Sequence, residues 1–263
     1  MNTMHEANRR KWNTSAPRWK ARKGATNWRR VYLHPEGPLG KEGVEHISRH
    51  LGSLQGKNAV VLGSGDNKAA FALAGLGANV TSVDISERQL EVAAERAGIL
   101  GVEIDFQQGD LSNLPSLPSG GYHFACSIGG VSGWISDLWE SYREAYRLLA
   151  PGGLFQISES HTVTSMWNES DYHYFDQGPH KYSFDPETGK SIAYLGSGKD
   201  ERADQADVQF LFHWKLSDYL MALIDAGFEI VHMSEQKSSD LDRWRENPID
   251  GLPRSIHLVG KKK

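Results

Sequence analysis

Hydrophobic and polar residues recur with two different periods along the middle of the chain, which predicts alternating strands and helices. Short apolar runs predict five strands, at 59–62, 79–83, 102–106, 122–127 and 154–158. Amphipathic stretches predict the helices between them, at 67–77, 87–100 and 136–149. Because successive strands are separated by helices, we expect crossover connections and a parallel sheet with helices on both faces.

This alternation stops at residues 161–212 and resumes after them. The interrupting stretch is polar, aromatic and turn-rich with short alternating runs, which predicts a small antiparallel sheet inserted into the domain. A helix at 216–226 and strands at 228–232 and 255–259 follow. No helical pattern clearly separates those two strands, so we expect the last strand to run antiparallel.

The N-terminal region lacks strand patterns. Its pattern predicts a helix to about Ser15, a break before Pro17, a loop over 34–40 and a helix over 41–52. The chain therefore divides into three predicted parts. They are a helical cap at 1–52, an α/β body made of 53–160 and 213–263, and an insert at 161–212.

Composition describes an ordinary globular protein, with 39% hydrophobic and 24% charged residues among 263 and a mean hydropathy of −0.51. No apolar run reaches the length of a transmembrane helix. The polar first residues do not resemble a secretory signal. Cys126 is the only cysteine, which excludes an intrachain disulfide and a cysteine metal cluster. We expect a cytoplasmic protein.

Positive charge is concentrated at the N-terminus. Residues 1–30 hold nine of the 29 Lys and Arg residues but one of the 33 acids, together with Trp12, Trp19 and Trp28. Such a segment is typical of a nucleic-acid-binding arm, or of a cap helix with a solvated charged face. The sequence pI near 6.3 argues against a general polyanion binder and favours the cap.

The first strand ends in a glycine-rich turn, Gly63-Ser64-Gly65-Asp66-Asn67, which opens a helix. Glycine there allows the backbone to approach a nucleotide-like ligand closely. The second strand ends at Asp84, 19 residues after Gly65, where a carboxylate can accept both hydroxyl hydrogens of a ribose. Together the two features predict a site for an adenosine-containing ligand.

Two further motifs define which family the sequence resembles. Gly109-Asp110-Leu111 follows the third strand, and Leu-Leu-Ala-Pro-Gly-Gly-Leu at 148–154 joins a helix to the fifth strand. With these motifs the sequence resembles the class I S-adenosylmethionine-dependent methyltransferases, over about 58–160 and again over 213–230. The resemblance implies a Rossmann-like seven-stranded sheet with its last strand antiparallel. It also implies S-adenosyl-L-methionine as cofactor and S-adenosyl-L-homocysteine as product.

The resemblance also implies which residues hold the cofactor. The glycine-rich turn would line its methionine part, the tips of the second and third strands its ribose and adenine, and the end of the fourth strand its sulfonium. These residues are Gly63, Ser64, Gly65, Asp66, Asn67, Asp84, Ile85, Asp110, Leu111, Ser127 and Ile128.

The glycine-rich motif departs from the family pattern at two positions. Val61 stands where the family usually has an acid, and Asn67 where it usually has a third glycine. Asn is the non-glycine residue that best tolerates left-handed backbone, and Asp66 can replace the lost charge.

His161, just beyond the fifth strand, is the candidate catalytic base, because histidine titrates in a suitable pH range. The alternative is that it caps the strand or orients the substrate. The candidate substrate and lid residues are Trp12, Trp19, Trp28, Trp167, Tyr172, His173, Tyr174 and His213. Aromatic residues can cover a pocket and exclude water, or form the insert's own small core.

We expect methyl transfer to a nitrogen or oxygen nucleophile of a small molecule, with no metal, membrane or nucleic-acid partner. Three alternatives stay open. One is a tRNA or other nucleic-acid methyltransferase using the basic arm. Another is a non-catalytic adenosine-ligand-binding module. The third is a nicotinamide oxidoreductase, which the Pro-Gly-Gly turn and the C-terminal strand pair disfavour.

Overall fold

The computed structural model describes residues 2–21, 27–163, 174–197, 207–237 and 252–263. Its main sheet contains seven strands in the described part of the chain: β1 (Asn58–Leu62), β2 (Asn79–Asp84), β3 (Ile104–Gln108), β4 (Tyr122–Ile128), β5 (Leu149–Ser160), β9 (Phe228–Gln236) and β10 (Ser255–Lys262). Their order is β3-β2-β1-β4-β5-β10-β9.

β1 to β5 pair in parallel, whereas β10 lies antiparallel between β5 and β9. Ile256 of β10, for example, pairs with Glu159 on one side and Glu235 on the other. The predicted seven-stranded sheet with an antiparallel last strand is therefore confirmed.

Seven α-helices are described: α1 (Thr3–Ala21), α2 (Asn27–Val31), α3 (Glu36–Leu51), α4 (Lys68–Gly75), α5 (Glu87–Leu100), α6 (Leu138–Leu148) and α7 (Leu216–Ala226). Side chains of α6 and α7 pack on one face of the sheet and those of α3 and α4 on the other. Burial on both faces explains why the central strands are continuous apolar runs. None of the described helices is long and apolar enough to cross a membrane.

Of the two predicted interruptions in the N-terminal region, the one before Pro17 is wrong and the one ending at Gly40 is partly right. α1 continues through Pro17 to Ala21, because the helix is held by packing around that turn: Ser15 and Ala16 are buried, and the Ser15 hydroxyl donates to the carbonyl of Gly189. α3 spans Glu36–Leu51, but Gly40 inside it has a non-helical conformation (φ 72°, ψ 157°) and divides it by a kink. The helix predicted from residue 41 is therefore present, and a short helical segment before Gly40 replaces part of the predicted loop. At Pro17, by contrast, the surrounding structure overrides a local breaker signal.

β5 is longer than its apolar run, because the Pro-Gly-Gly turn is absorbed into the strand. Tyr122 of β4 pairs with Leu149, but Phe124 pairs with Leu154, so extra residues on β5 form a bulge between these pairs. Gly152 lies in this bulge at a φ of +79°, a conformation that favours glycine.

The insert contains a three-stranded antiparallel sheet, in the order β7-β6-β8, made of β6 (His180–Phe184), β7 (Ser191–Ser197) and β8 (Val208–Leu211). This confirms the predicted small sheet. α1 contacts it through Asn8, whose amide donates to the carbonyl of Phe210 and accepts from its N–H, at 2.9 and 2.8 Å. The cap is thereby joined to the insert, while the predicted domain boundaries stay a prediction.

Replacing Asn8 tests this join. Asn8→Leu leaves the buried N–H and C=O of Phe210 without their side-chain partner, so the free energy of unfolding should fall by about 2 kcal/mol. Lys20→Met is the control on the same helix, because Lys20 pairs with Glu95 at the exposed surface and should cost at most about 0.5 kcal/mol. Urea denaturation measures both variants, and equal losses would contradict the assigned role of Asn8.

Candidate active site

A cavity of about 500 Å³ opens at the carboxyl ends of the parallel strands. This volume lies within the roughly 300–1,000 Å³ typical of small-molecule sites. The loops after β1, β2, β3 and β4 form one wall, and α1 forms much of the other. In open α/β sheets the ligand site lies at this end of the strands.

Asp84 connects two loops at the cavity wall. Its Oδ2 accepts from the N–H of Gly65 at 2.7 Å, and its Oδ1 accepts from the N–H of Ser86 at 2.8 Å. Burial raises the pKa of Asp84, and these backbone donors oppose the rise. Each carboxylate oxygen has a second lone pair, so the group can still accept hydrogen bonds from a ligand diol.

The glycine-rich turn is shaped for close approach. A Cβ on Gly63, which has a φ of +71°, would lie 2.4 Å from Cγ1 of Val131. Gly65 also has a positive φ, but the position of its Cβ would meet open space. The buried hydroxyl of Ser64 has no partner within the described residues, which leaves a polar group at the cavity for a ligand.

Asn67 lies behind this turn. Its φ is +61°, and its side-chain amide donates to the carbonyl of Gly65 at 2.8 Å and accepts from the hydroxyl of Ser82 at 2.5 Å. Asn67 is fully buried and outside the cavity lining. It therefore supplies the left-handed conformation that a third glycine would supply, and shapes the turn from below.

Most of the residues predicted to hold the cofactor are brought together. Nine of the eleven line the cavity: Gly63, Ser64, Gly65, Asp66, Asp84, Ile85, Asp110, Leu111 and Ile128. Asn67 and Ser127 are buried beneath the wall. These positions, together with the unpartnered Ser64 hydroxyl, fit an adenosine-containing cofactor.

His5 attaches α1 to this wall, and sequence reasoning missed it. The Nδ1–H of His5 donates to Oδ2 of Asp110 at 2.7 Å, while its Nε2 accepts from the N–H of Ser136 at 3.0 Å. Burial acts to raise the pKa of Asp110, but the hydrogen bonds from His5 and from the N–H of Ser112 help to hold that pKa below its usual value. His5, Asn8 and Trp12 are three and four residues apart, so this helical spacing was the available signal.

The three tryptophans of the N-terminal segment divide into two groups by position. Trp12 and Trp19 line the cavity with Trp134, and the rings of Trp12 and Trp134 meet edge-to-face with centroids 5.0 Å apart. Trp28 lies elsewhere: it is buried against Phe71, with ring centroids 6.0 Å apart. A lid role for Trp28 therefore has no support from its position.

His161 and His213 lie outside the cavity lining. Nδ1 of His161 accepts from the N–H of Val163 at 3.2 Å, and its Nε2 lies 2.8 Å from Oε1 of Glu235. Because both ring nitrogens have partners at the strand end, this geometry favours the capping interpretation of His161 over the base. His213 stacks on His180 with centroids 4.1 Å apart, and burial, aided by His180, lowers its pKa to about 3.

Of the remaining predicted lid residues, the structure describes Tyr174. Tyr174 packs against Phe175 and does not line the cavity. Trp167, Tyr172 and His173 lie outside the described residues.

Glu159, near the end of β5, is a second residue that sequence reasoning missed. Its Oε1 accepts from the N–H of Val131 and from the N–H and hydroxyl of Ser132, at 3.0–3.1 Å. Burial raises the pKa of Glu159 to about 7, and the hydrogen bonds from the loop oppose the rise. Because Val131 lines the cavity, Glu159 holds part of the wall in place.

Comparison with known proteins agrees with this geometry. A family model described as a methyltransferase domain matches residues 60–157. The ubiquinone biosynthesis O-methyltransferase of Bordetella avium is 27% identical over 121 residues, 46% of this chain and 48% of that protein. The enzyme of the same name from Alkalilimnicola ehrlichii is 25% identical over 243 residues, 92% of this chain and 76% of that protein. An arsenite methyltransferase of Aquipseudomonas alcaligenes is 33% identical over 138 residues. The matches to the Bordetella and Aquipseudomonas proteins span less than half of their lengths.

Solved structures share the fold. S-adenosylmethionine-dependent methyltransferases from Methanosarcina mazei and Mesorhizobium loti superpose with TM-scores of 0.60 and 0.56 at 18% and 22% identity. The superpositions cover 82% and 83% of this chain and 96% of each relative. Geranyl diphosphate methyltransferase, solved with S-adenosylmethionine, has a TM-score of 0.57 at 15% identity and covers 92% of both chains. Residues 60–157 thus match a methyltransferase domain, and the fold of the chain is that of S-adenosylmethionine-dependent methyltransferases, whose cofactor is S-adenosylmethionine.

The raised pKa of Glu159 predicts how stability depends on pH. The native state holds this proton more tightly than the unfolded chain, where the usual pKa is 4.5. The free energy of unfolding should therefore fall by about 2.5 kcal/mol as the pH rises from 4.5 to 7, and Glu159→Gln should remove that part of the fall. Urea denaturation at several pH values measures both proteins. Parallel pH profiles would contradict the raised pKa.

Proposed function

We propose that this chain transfers a methyl group from S-adenosylmethionine to an oxygen or nitrogen nucleophile of a small molecule. The observation that carries the proposal is the Asp84 carboxylate, held between the Gly65 and Ser86 amides at the wall of a covered cavity. In this proposal Asp84 binds the ribose hydroxyls. The adenine lies between Ile85 and Leu111, with Asp110 near its edge.

The amino-acid end of the cofactor meets a different set of charges from the one usual in the family. Val61, at the position of the usual acid, lines the cavity with an apolar side chain. Asp66 and Lys68 also line it and form an ion pair of 2.7 Å at a partly exposed position. Their opposite charges match a zwitterion, so we assign the cofactor's carboxylate to Lys68 and its ammonium to Asp66.

The position of Lys68 supports this assignment. Lys68 is the first residue of α4, and a cation at a helix N-terminus is disfavoured by the helix dipole. A carboxylate bound at the same place gains from both the lysine and the helix N-terminus. Ligand binding therefore accounts for a lysine that helix stability does not explain.

The bound cofactor supplies a methyl group already activated on a sulfonium. The chain then has to align an acceptor in line with that methyl group and keep water away. α1 covers the cavity with Trp12 and Trp19, and the loop after β4 contributes Trp134. The names of the ubiquinone-biosynthesis relatives, which are O-methyltransferases, support oxygen as the nucleophile.

The contacts of the basic N-terminal segment support its interpretation as a cap rather than as a nucleic-acid-binding arm. Arg9 pairs with Glu6 and Glu87, and Lys20 pairs with Glu95. Lys11 is buried. Cations that are paired or buried within the protein are not available to neutralise phosphates.

The main test is calorimetric titration with S-adenosylhomocysteine. Asp84→Ala should weaken binding at least about tenfold, because the ribose loses two charge-assisted hydrogen bonds. Asp105→Ala is the matched control, since Asp105 is an exposed acid on β3 away from the cavity, and its affinity should not change. Unchanged affinity in Asp84→Ala, or no binding by the unmodified protein, would overturn the proposal. Transfer of a labelled methyl group to an acceptor panel tests the activity itself.

A second titration tests the zwitterion site. 5′-Methylthioadenosine lacks the amino-acid part, so its affinity should be unaffected by Lys68→Met and Asp66→Asn. The affinity for S-adenosylhomocysteine should fall roughly tenfold in each variant, because a charge-assisted hydrogen bond is lost. If both ligands weaken equally, or neither does, the assignment to Asp66 and Lys68 is wrong.

A further inference from the structure

A buried ammonium group stands behind the aromatic wall of the cavity. Lys11 is 5% exposed, and its Nζ lies 3.6 Å from the ring centroid of Trp12 and 4.3 Å from that of Trp134. Within the part of the chain that the structure describes, no carboxylate forms an ion pair with Lys11. The two tryptophan rings are therefore its principal contacts.

A lysine at this position is costly for folding alone. Taking an ammonium group from water into a protein interior is unfavourable unless it is paired. Burial lowers the pKa of Lys11 to about 7, and the charge of Arg18 contributes to the lowering. An apolar side chain would fill the same space at a lower free-energy cost. A role for Lys11 is therefore expected at the cavity, which the rings of Trp12 and Trp134 line.

The charges of the cavity wall are unevenly distributed. Among the described lining residues, the charged side chains Asp66, Lys68, Asp84 and Asp110 all lie on the side assigned to the cofactor. α1 and the loop after β4 contribute the apolar side chains of Trp12, Trp19, Trp134 and Ile135 to the lining, and we assign these to the acceptor side. The acceptor side thus has flat apolar walls, and the charge nearest to two of them is positive.

The position of Lys11 determines which ligand charge is favoured beside these walls. The face of an indole ring attracts cations, and here Lys11 already occupies that position on both Trp12 and Trp134. A second cation in the cavity is repelled by the ammonium across a few ångströms of poorly solvated space, and an anion is attracted. Flat walls also favour a planar ligand.

We propose that Lys11, acting through Trp12 and Trp134, makes the acceptor side of the cavity selective for an aromatic acid and excludes aromatic amines that carry a positive charge. This inference rests on the proposed function and names the chemical class of its acceptor. Lys11 is a specificity-determining residue in this account, since the tryptophans and not the ammonium line the cavity.

The test compares two probes of the same shape and opposite charge. Calorimetry at pH 6, where Lys11 is mostly protonated, measures 2-naphthoate and 2-naphthylmethylammonium binding to the protein saturated with S-adenosylhomocysteine. The unmodified protein should bind the anion at least about tenfold more tightly. Lys11→Met should remove most of that preference, and Lys11→Arg should restore it.

Lys20→Met is the matched control, because it removes an exposed cation from the same helix and should leave the preference unchanged. The inference would be overturned if the unmodified protein bound the ammonium probe equally or more tightly, or if it bound neither probe. It would also be overturned if Lys11→Met kept an unchanged preference. If Lys11→Met does not fold, the inference is tested by whether the unmodified protein and Lys11→Arg both prefer the anionic probe. Failure of the unmodified protein to bind S-adenosylhomocysteine would instead overturn the proposed function, and this inference with it.

Discussion

The hydrogen bonds of the Asp84 carboxylate are the interaction on which the architecture of the cavity depends. A buried carboxylate requires donors, and here they come from Gly65 after β1 and Ser86 after β2. Gly65 presents its N–H from a positive φ, and Ser86 is also the N-cap of α5. One acidic side chain thus fixes the glycine-rich turn against the start of the next helix, and that arrangement leaves the opening at the end of the sheet.

The N-terminal helix completes the cavity through polar contacts along its buried face. His5 bonds to Asp110, and Asn8 bonds to the backbone of Phe210 in the insert. α1 therefore contacts both a loop assigned to the cofactor and the small antiparallel sheet. Two of the basic residues of this segment take part in these contacts: Arg9 pairs with Glu87 beside the tip of the second strand, and Lys11 lies over the rings of Trp12 and Trp134.

Features encoded by neighbouring residues could be predicted from the sequence. The bounds of α5 and α7 match their predicted ranges, because Ser86 and Gly227 cap them locally. The parallel pairing of the first five strands was predicted from apolar runs that alternate with helical patterns. Features made by distant residues could not be predicted in this way. His5 and Asp110 are 105 positions apart, and Glu159 acts on a loop 27 positions earlier, so no spacing rule joins them. The helix persists through Pro17 because of packing that only the folded chain provides.

We propose that the cavity beneath α1 holds S-adenosylmethionine between the loops after β1, β2 and β3. A crystal structure of the complex with S-adenosylhomocysteine would show where the cofactor binds. We expect ribose hydroxyls on the Asp84 carboxylate, adenine between Ile85 and Leu111, and the homocysteine end beside Asp66 and Lys68. A ligand bound elsewhere, or a ribose without contact to Asp84, would contradict this proposal.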